Sequence, residues 1–392
     1  MFITSQRKPS SDRMAVTPKY LDYNATTPLD SRVLAAMNEW YAGPPTNAGS
    51  RTHVYGRRGR EAVEKARTQV ADLIEAAPEE VVFTSGATES DNLVVFGLAA
   101  FGQRSGRRHI LATAIEHKAI LEPLAQLARR GFEIELAPVT ATGYVEPDAI
   151  LERLRPNTLL VSVMHANNET GVLQPVREIA ELVRESGAFF HTDAAQTFGK
   201  EVDCLRHLGF DLLSISGHKI YGPQGIGAVV VRRRGIKRPP LEPLMFGGGQ
   251  ERGLRPGTPP VPLIVGLGLA AELAEQEHAE RRVAAERVRA QLIADLQGAE
   301  FRINGDPSRC QPHVLNVSFP GVDSEALMIA LRDELAVSNG AACTSQRYGS
   351  SHVLEAMGLG PEIIASAVRL SWGPGVTTIP TVALRDAVLR LR

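Results

Sequence analysis

With 392 residues, 43% of them hydrophobic, the chain can bury a large core, and at ~150 residues per domain it predicts two domains and excludes a peptide module. Forty-three Lys and Arg against 44 Asp and Glu leave a formal net charge of -1, which excludes a global field drawing the chain to nucleic acid or an anionic membrane. Three cysteines, Cys204, Cys310 and Cys343, show no CxxC spacing and exclude a disulfide framework, which predicts a reducing, cytoplasmic setting.

Residues 1–15, MFITSQRKPSSDRMA, are polar and basic without the apolar centre of a signal peptide; they read as a flexible arm, with Met14 a candidate internal start. Short apolar runs then alternate with amphipathic segments: VVFTSG before ATESDNLVVFGLAAFG, HILATAI before HKAILEPLAQLARRG, and TLLVSVMHANN before VREIAELVRESG. The runs AFFHTDAA and DLLSIS follow. This alternation predicts an α/β fold with a mainly parallel sheet, whose binding crevice lies at the carboxyl ends of the strands. The cluster Arg232, Arg233, Arg234, Lys237 and Arg238 after GAVVV reads as a solvated turn without function. The longest uncharged stretch, 256–271, is broken by four prolines and falls short of the ~20 apolar residues of a membrane span. From about Pro262 to Gly298 a long charge-laced pattern predicts a helix that bridges to a smaller α+β domain.

The chemistry is expected just after each apolar run. In VVFTSGATES a strand ends at Thr84 and a helix begins near Ala87, so the backbone at Ala87 and Thr88 can hold a phosphate, although Thr88 would equally serve as a plain helix cap. AFFHTDAAQ places a lone carboxylate, Asp193, at the end of an apolar strand, where burial costs several kcal/mol unless a cation or strong donor meets it. Farther on, SISGHKIYGPQGIG presents Ser216, His218 and Lys219 ahead of a glycine-rich turn. This lysine is either a surface residue or an amine that condenses with a carbonyl. Pyridoxal phosphate fits these turns jointly: it needs a lysine, an aspartate against its ring nitrogen, and a hydroxyl-bearing helix start for its phosphate.

At YLDYNATTPLD, FTSGATESDN, IEHKAI, HANNETGVLQPV, HTDAAQTFGK, SGHKIYGPQGIG, GGGQERGLRPGT, NGAACTSQRYGSSHVLEAMGL and VRLSWG the sequence resembles the cysteine desulfurases. These are pyridoxal-phosphate enzymes of fold-type I, in the class V aminotransferase group. The resemblance implies a large cofactor-binding domain over 29–275 and a smaller α+β domain over 16–28 and 276–392. It implies Lys219 as the lysine joined to the cofactor, Asp193 on the ring nitrogen, His117 stacked on the ring and moving protons, and Asn168 and Gln196 beside the ring. The phosphate would be held by Ala87, Thr88, Ser216 and His218, and by Thr258 from the second subunit of a homodimer. Arg369 would pair with the substrate carboxylate. Cys343, in a stretch that reads as a mobile loop, would take the sulfur of L-cysteine as a persulfide, release L-alanine, and hand the sulfur to an acceptor protein.

The stretch around ACTS resembles the branch with the longer catalytic loop. Pro256, where a small residue is usual, and the end of the chain at Arg392 lean the acceptor from general iron-sulfur assembly toward a dedicated pathway such as DNA phosphorothioation, without direct nucleic-acid or membrane contact. Selenocysteine lyase and cysteine β-lyase are the enzymatic alternatives, and a docking subunit of a sulfur-transfer complex is the non-catalytic one. Of the remaining features, Cys204 reads as a core residue at helical spacing from Leu208, and Cys310 as incidental. His165 and His191 read as satisfied core residues, Gly247 to Gly249 as a loop to the dimer interface, and no metal site is expected.

Overall fold

The computed structural model describes residues 17–339 and 350–392, so the N-terminal arm and Cys343 lie outside the described residues. Its strands are β1 (Lys19–Tyr20), β2 (Val81–Thr84), β3 (His109–Thr113), β4 (Glu133–Ala137), β5 (Thr158–Ser162), β6 (Phe189–Asp193), β7 (Leu212–Ser216), β8 (Gly227–Val231), β9 (Arg302–Ile303), β10 (Val314–Ser318), β11 (Leu335–Ala336) and β12 (Ala367–Ser371). Seven of them form one sheet in the order β2-β8-β7-β6-β5-β3-β4. β8 runs antiparallel to both of its neighbours, and every other pairing is parallel.

The apolar runs became central strands because both faces of the sheet are covered. β3, β5, β7 and β8 are buried at every residue, as expected when helices pack on either side. Side chains alternate between two cores: Val81 and Phe83 of β2 point to one and Val82 to the other, and Leu213 and Leu212 of β7 divide likewise. β4, EIELA, closes the edge, and its outward Glu133 and Glu135 pair with Arg155, charges that discourage further strand addition.

A separate core holds the rest of the chain. Leu21 and Tyr23 join Leu315, Val317, Leu370 and Trp372 around the antiparallel sheet β12-β10-β9 and the parallel pair β1-β11. The predicted long helix spans Val261–Asp295 and serves both bodies: Leu267 and Ala271 pack in the first, and Val288 and Leu292 in the second. Among the described residues no helix is long and apolar enough to cross a membrane.

One sequence expectation fails for a local reason. Cys204 is exposed, because the short helix Val202–Leu205 buries Val202 and Leu205, which leaves the thiol between them facing outward. The basic cluster is an exposed turn at Arg233, Arg234 and Lys237, with Arg234 paired to Asp211 at 2.5 Å and Arg232 lying over the Phe210 ring and donating to the Ile74 carbonyl. The two core histidines are satisfied as expected, His191 between Ser162 and Ser214 and His165 against Thr197.

Because one helix carries both cores, Leu267→Ala and Leu292→Ala should each cost about 2–5 kcal/mol in chemical denaturation. Val283→Ala, at a residue 46% exposed between them, should stay within about 0.5 kcal/mol of wild type. Equal losses at all three positions would contradict the division of the helix between two cores.

Candidate active site

The carboxyl ends of β2, β3, β5, β6 and β7 open on one cavity of about 440 Å3. Ala87, Thr88, His117, Asn168, Asp193, Gln196, Ser216, His218 and Lys219 all line it, so nine of the expected site residues meet there. Arg369 and Thr258 do not line it, and Cys343 is outside the described residues.

The turn after β2 is built for close approach. Gly86 adopts φ +154°, a conformation that a side chain disfavours, and starts the helix Ala87–Gly97 with no side-chain cap on its first-turn N–H groups. Thr88 is therefore inside the helix and not its cap. Gly227 of β8 pairs with Thr84 on one side and Ser216 on the other, and a Cβ on it would lie 2.6 Å from the Gly86 Cα. That clearance brings Ser216 beside the helix start, where an anion is favoured by N–H groups and the helix dipole. His218 binds the Thr26 hydroxyl at 3.1 Å, and burial, with Lys219 and Lys200 nearby, holds its pKa down to about 4.

Asp193 is only 6% exposed and accepts from the Ala195 N–H at 2.8 Å. Burial pushes its carboxyl above the ordinary range, while that N–H, His117 and Lys219 pull it back. His117 caps the helix Lys118–Ala128 by accepting the Ala119 N–H on Nδ1, which leaves Nε2 as the protonated nitrogen of the neutral ring. Burial lowers its pKa against the pull of Asp193. Lys219 Nζ donates to the carbonyls of Asn24 and Ala25 at 2.5 and 2.7 Å. Gln196 donates to the same Asn24 carbonyl, and its buried Oε1 has no partner among the described residues.

Arg369, on β12, is 0% exposed; it donates to the Asn168 carbonyl at 2.8 Å and to Asp22 at 2.6 Å. It stands behind the cavity wall. Thr258 is exposed in the loop before the long helix. Cys310 forms a β-bridge with Val172 and donates its thiol to the Thr170 carbonyl, and burial raises its pKa to about 11.

The sequence reading missed three groups. Asn24 and Ala25, which hold Lys219, come from the segment after β1, and only the quoted YLDYNATTPLD hinted at them. Asp91 lines the cavity at 1% exposure with both carboxyl oxygens unpartnered among the described residues, 3.6 Å from His191. Burial and the neighbouring Asp193 hold its pKa well above the ordinary range. Glu116, next to His117, is fully buried; it accepts from Thr113 at 2.6 Å and from the Met164 N–H at 2.8 Å.

Burial raises Glu116 from 4.5 to about 8 against those two bonds. A folded pKa above the unfolded one gives stability that is complete below pH 4.5 and is lost as pH rises toward 8. Glu116→Gln removes that loss while keeping an acceptor for both donors. The thermal stability of the variant relative to wild type should therefore rise between pH 5 and 8, with a slope that can approach ~1.4 kcal/mol per pH unit. A pH-independent difference in Tm would show that the carboxyl is ionised throughout.

Comparison with known proteins agrees with this geometry. The family model described as Aminotransferase class-V matches residues 19–377. The chain is 48% identical over 360 residues to the mitochondrial cysteine desulfurase of Arthroderma benhamiae, covering 91% of this chain and 71% of that protein. It is 47% identical over 358 residues to the cysteine desulfurase IscS of Anaeromyxobacter dehalogenans, covering 91% and 88%. The crystal structure of DndA from Streptomyces lividans superposes with a TM-score of 0.80 at 49% identity, over 91% of this chain and 100% of that one. A cavity walled by five strand ends, with its lysine, aspartate and open helix start, thus coincides with sequence identity along nearly the whole chain, and the protein belongs to the cysteine desulfurases of the class-V aminotransferase family.

Proposed function

We propose that the chain converts L-cysteine to L-alanine in this cavity with pyridoxal phosphate as cofactor, and passes the sulfur through Cys343 to an acceptor protein. The observation that carries the reading is the convergence of Lys219, Asp193, His117 and the Gly86 turn on one cavity. The residues fit the cofactor: the glycine cradle at Gly86 and Gly227 admits a phosphate, and Gln196 Oε1 and Asn24 Oδ1 are buried oxygens that await a donor. Ala87, Thr88, Ser216 and His218 would hold the phosphate, Asp193 the ring nitrogen, and Asn168 and Gln196 the ring's flanks. When bound, pyridoxal phosphate supplies an electron sink that weakens the carbon-sulfur bond of cysteine.

The chain's own groups do the rest. Lys219 Nζ, held by two carbonyls, would be the amine that bonds the cofactor and would afterwards carry protons. His117, kept neutral by burial, offers Nε2 for a second proton transfer. Arg369 would meet the substrate carboxylate by giving up the Asn168 carbonyl, in the bidentate manner suited to a guanidinium. The Cys343 thiolate would attack the substrate sulfur: the S–S bond forms as the C–S bond breaks, the C–S electron pair stays with the substrate carbon, that carbon takes up a proton, and alanine leaves. The exposed Thr258 reaches the phosphate of a second copy, in a cytoplasmic homodimer. Iron-sulfur assembly or a dedicated pathway such as DNA phosphorothioation receives the sulfur.

Borohydride reduction of the cofactor-loaded protein followed by peptide mapping should tag Lys219, and Lys219→Ala should lose the tag. A tag on Lys118 or Lys237 instead would overturn the assignment. Cys343→Ser should bind the cofactor and keep the cysteine-dependent change in visible absorbance, yet transfer no sulfur, whereas Cys204→Ser and Cys310→Ser should turn over. Alanine release by Cys343→Ser at the wild-type rate would instead indicate a lyase.

A further inference from the structure

The buried carboxyl of Glu169 is used by nothing in the mechanism above. It follows Asn168 on the cavity wall and is 3% exposed. Its Oε2 accepts the hydroxyl of Ser351 at 2.5 Å, and the same hydroxyl accepts the Leu354 N–H at 3.1 Å, capping the helix His352–Ala356. Ser351 is thus oriented from both sides, as donor to the acid and acceptor from the helix. The next residue, His352, donates from Nε2 to the carbonyl of Glu116, immediately before His117, at 3.0 Å. Val353, Leu354 and Met357 pack on Ile115 and Met164 from the first body. The Glu169 carbonyl receives Asn316 of β10, so this residue joins the cavity wall, the second body and the helix.

Seven residues lie between Cys343 and Ser351, so the contact anchors the chain close in sequence to the thiol. On the upstream side Ser338 forms an antiparallel bridge with Arg369, so both flanking segments are tied beside the cavity.

We propose that Glu169 is a positioning residue for sulfur transfer: through Ser351 it fixes the downstream root of the segment carrying Cys343 against the wall that presents Asn168 and His117. The inference deepens the desulfurase reading and rests on it. Its test uses the full-length, cofactor-loaded protein and two readouts: the visible absorbance change on adding cysteine, which needs the cavity alone, and the rate at which the Cys343 peptide gains the mass of one sulfur, which also needs the thiol to arrive.

Glu169→Ala and Ser351→Ala should leave the amplitude and cysteine midpoint of the first readout within about twofold, and slow the second by about tenfold, the scale of one lost buried hydrogen bond. Glu169→Gln, whose amide oxygen still accepts from Ser351, should recover to within about threefold of wild type, a rescue that mere filling of space would not depend on. Wild-type sulfur transfer by Glu169→Ala overturns the inference. So does a loss of both readouts in Ser351→Ala, the milder change, because that makes the contact a support of the cavity itself. A wild-type protein that responds to cysteine but never gains sulfur at Cys343 overturns the desulfurase reading, and this inference with it.

Discussion

The buried charge of Asp193 is the constraint around which the cavity is arranged. A carboxylate at the sealed end of an apolar strand is tolerable only when positive or donating groups face it, and here they come from separate strand ends: the Ala195 N–H beyond β6, His117 beyond β3 and Lys219 beyond β7. Parallel pairing is what allows this, since it delivers successive chain segments to the same edge of the sheet. Asp91 and Glu116 lie close by, and burial pushes both upward. One countered charge thus stands beside two buried carboxyls, Asp91 on the cavity lining and Glu116 outside it, that burial pushes toward their protonated form.

Much of this was legible in the sequence because each apolar run is followed directly by the groups it delivers. VVFTSG ends at the phosphate-type turn, HTDAA at Asp193, and SISGHK at Lys219, so a local pattern specified the position of a distant site. Contacts between remote segments were not legible. Nothing local in the chain tells that the Asn24 and Ala25 carbonyls hold Lys219, or that Asp22 and Asn168 occupy Arg369. Helical spacing put Cys204 in a core, but its helix is only four residues long, too short for periodicity to decide which side faces inward. Asp91 was hidden in plain view within TESDN, where an acid near a helix start reads as a favourable surface charge and not as a buried one.

The antiparallel course of β8 is the other departure from a simple alternating pattern. Inserted between β2 and β7, it sets the spacing of the two turns on either side, and its first residue must be a glycine for the backbones to come together. A strand that contributes no catalytic group thus sets the width of the anion cradle.

The uninterrupted helix from Val261 to Asp295 has a mechanical consequence. At 35 residues it is a rod about 52 Å long, anchored by its first half in one body and by its second half in the other. A rod clamped at both ends has no hinge, so swinging the second body away from the first would require bending a continuous ladder of backbone hydrogen bonds. The two cores are thereby tied into one stiff frame.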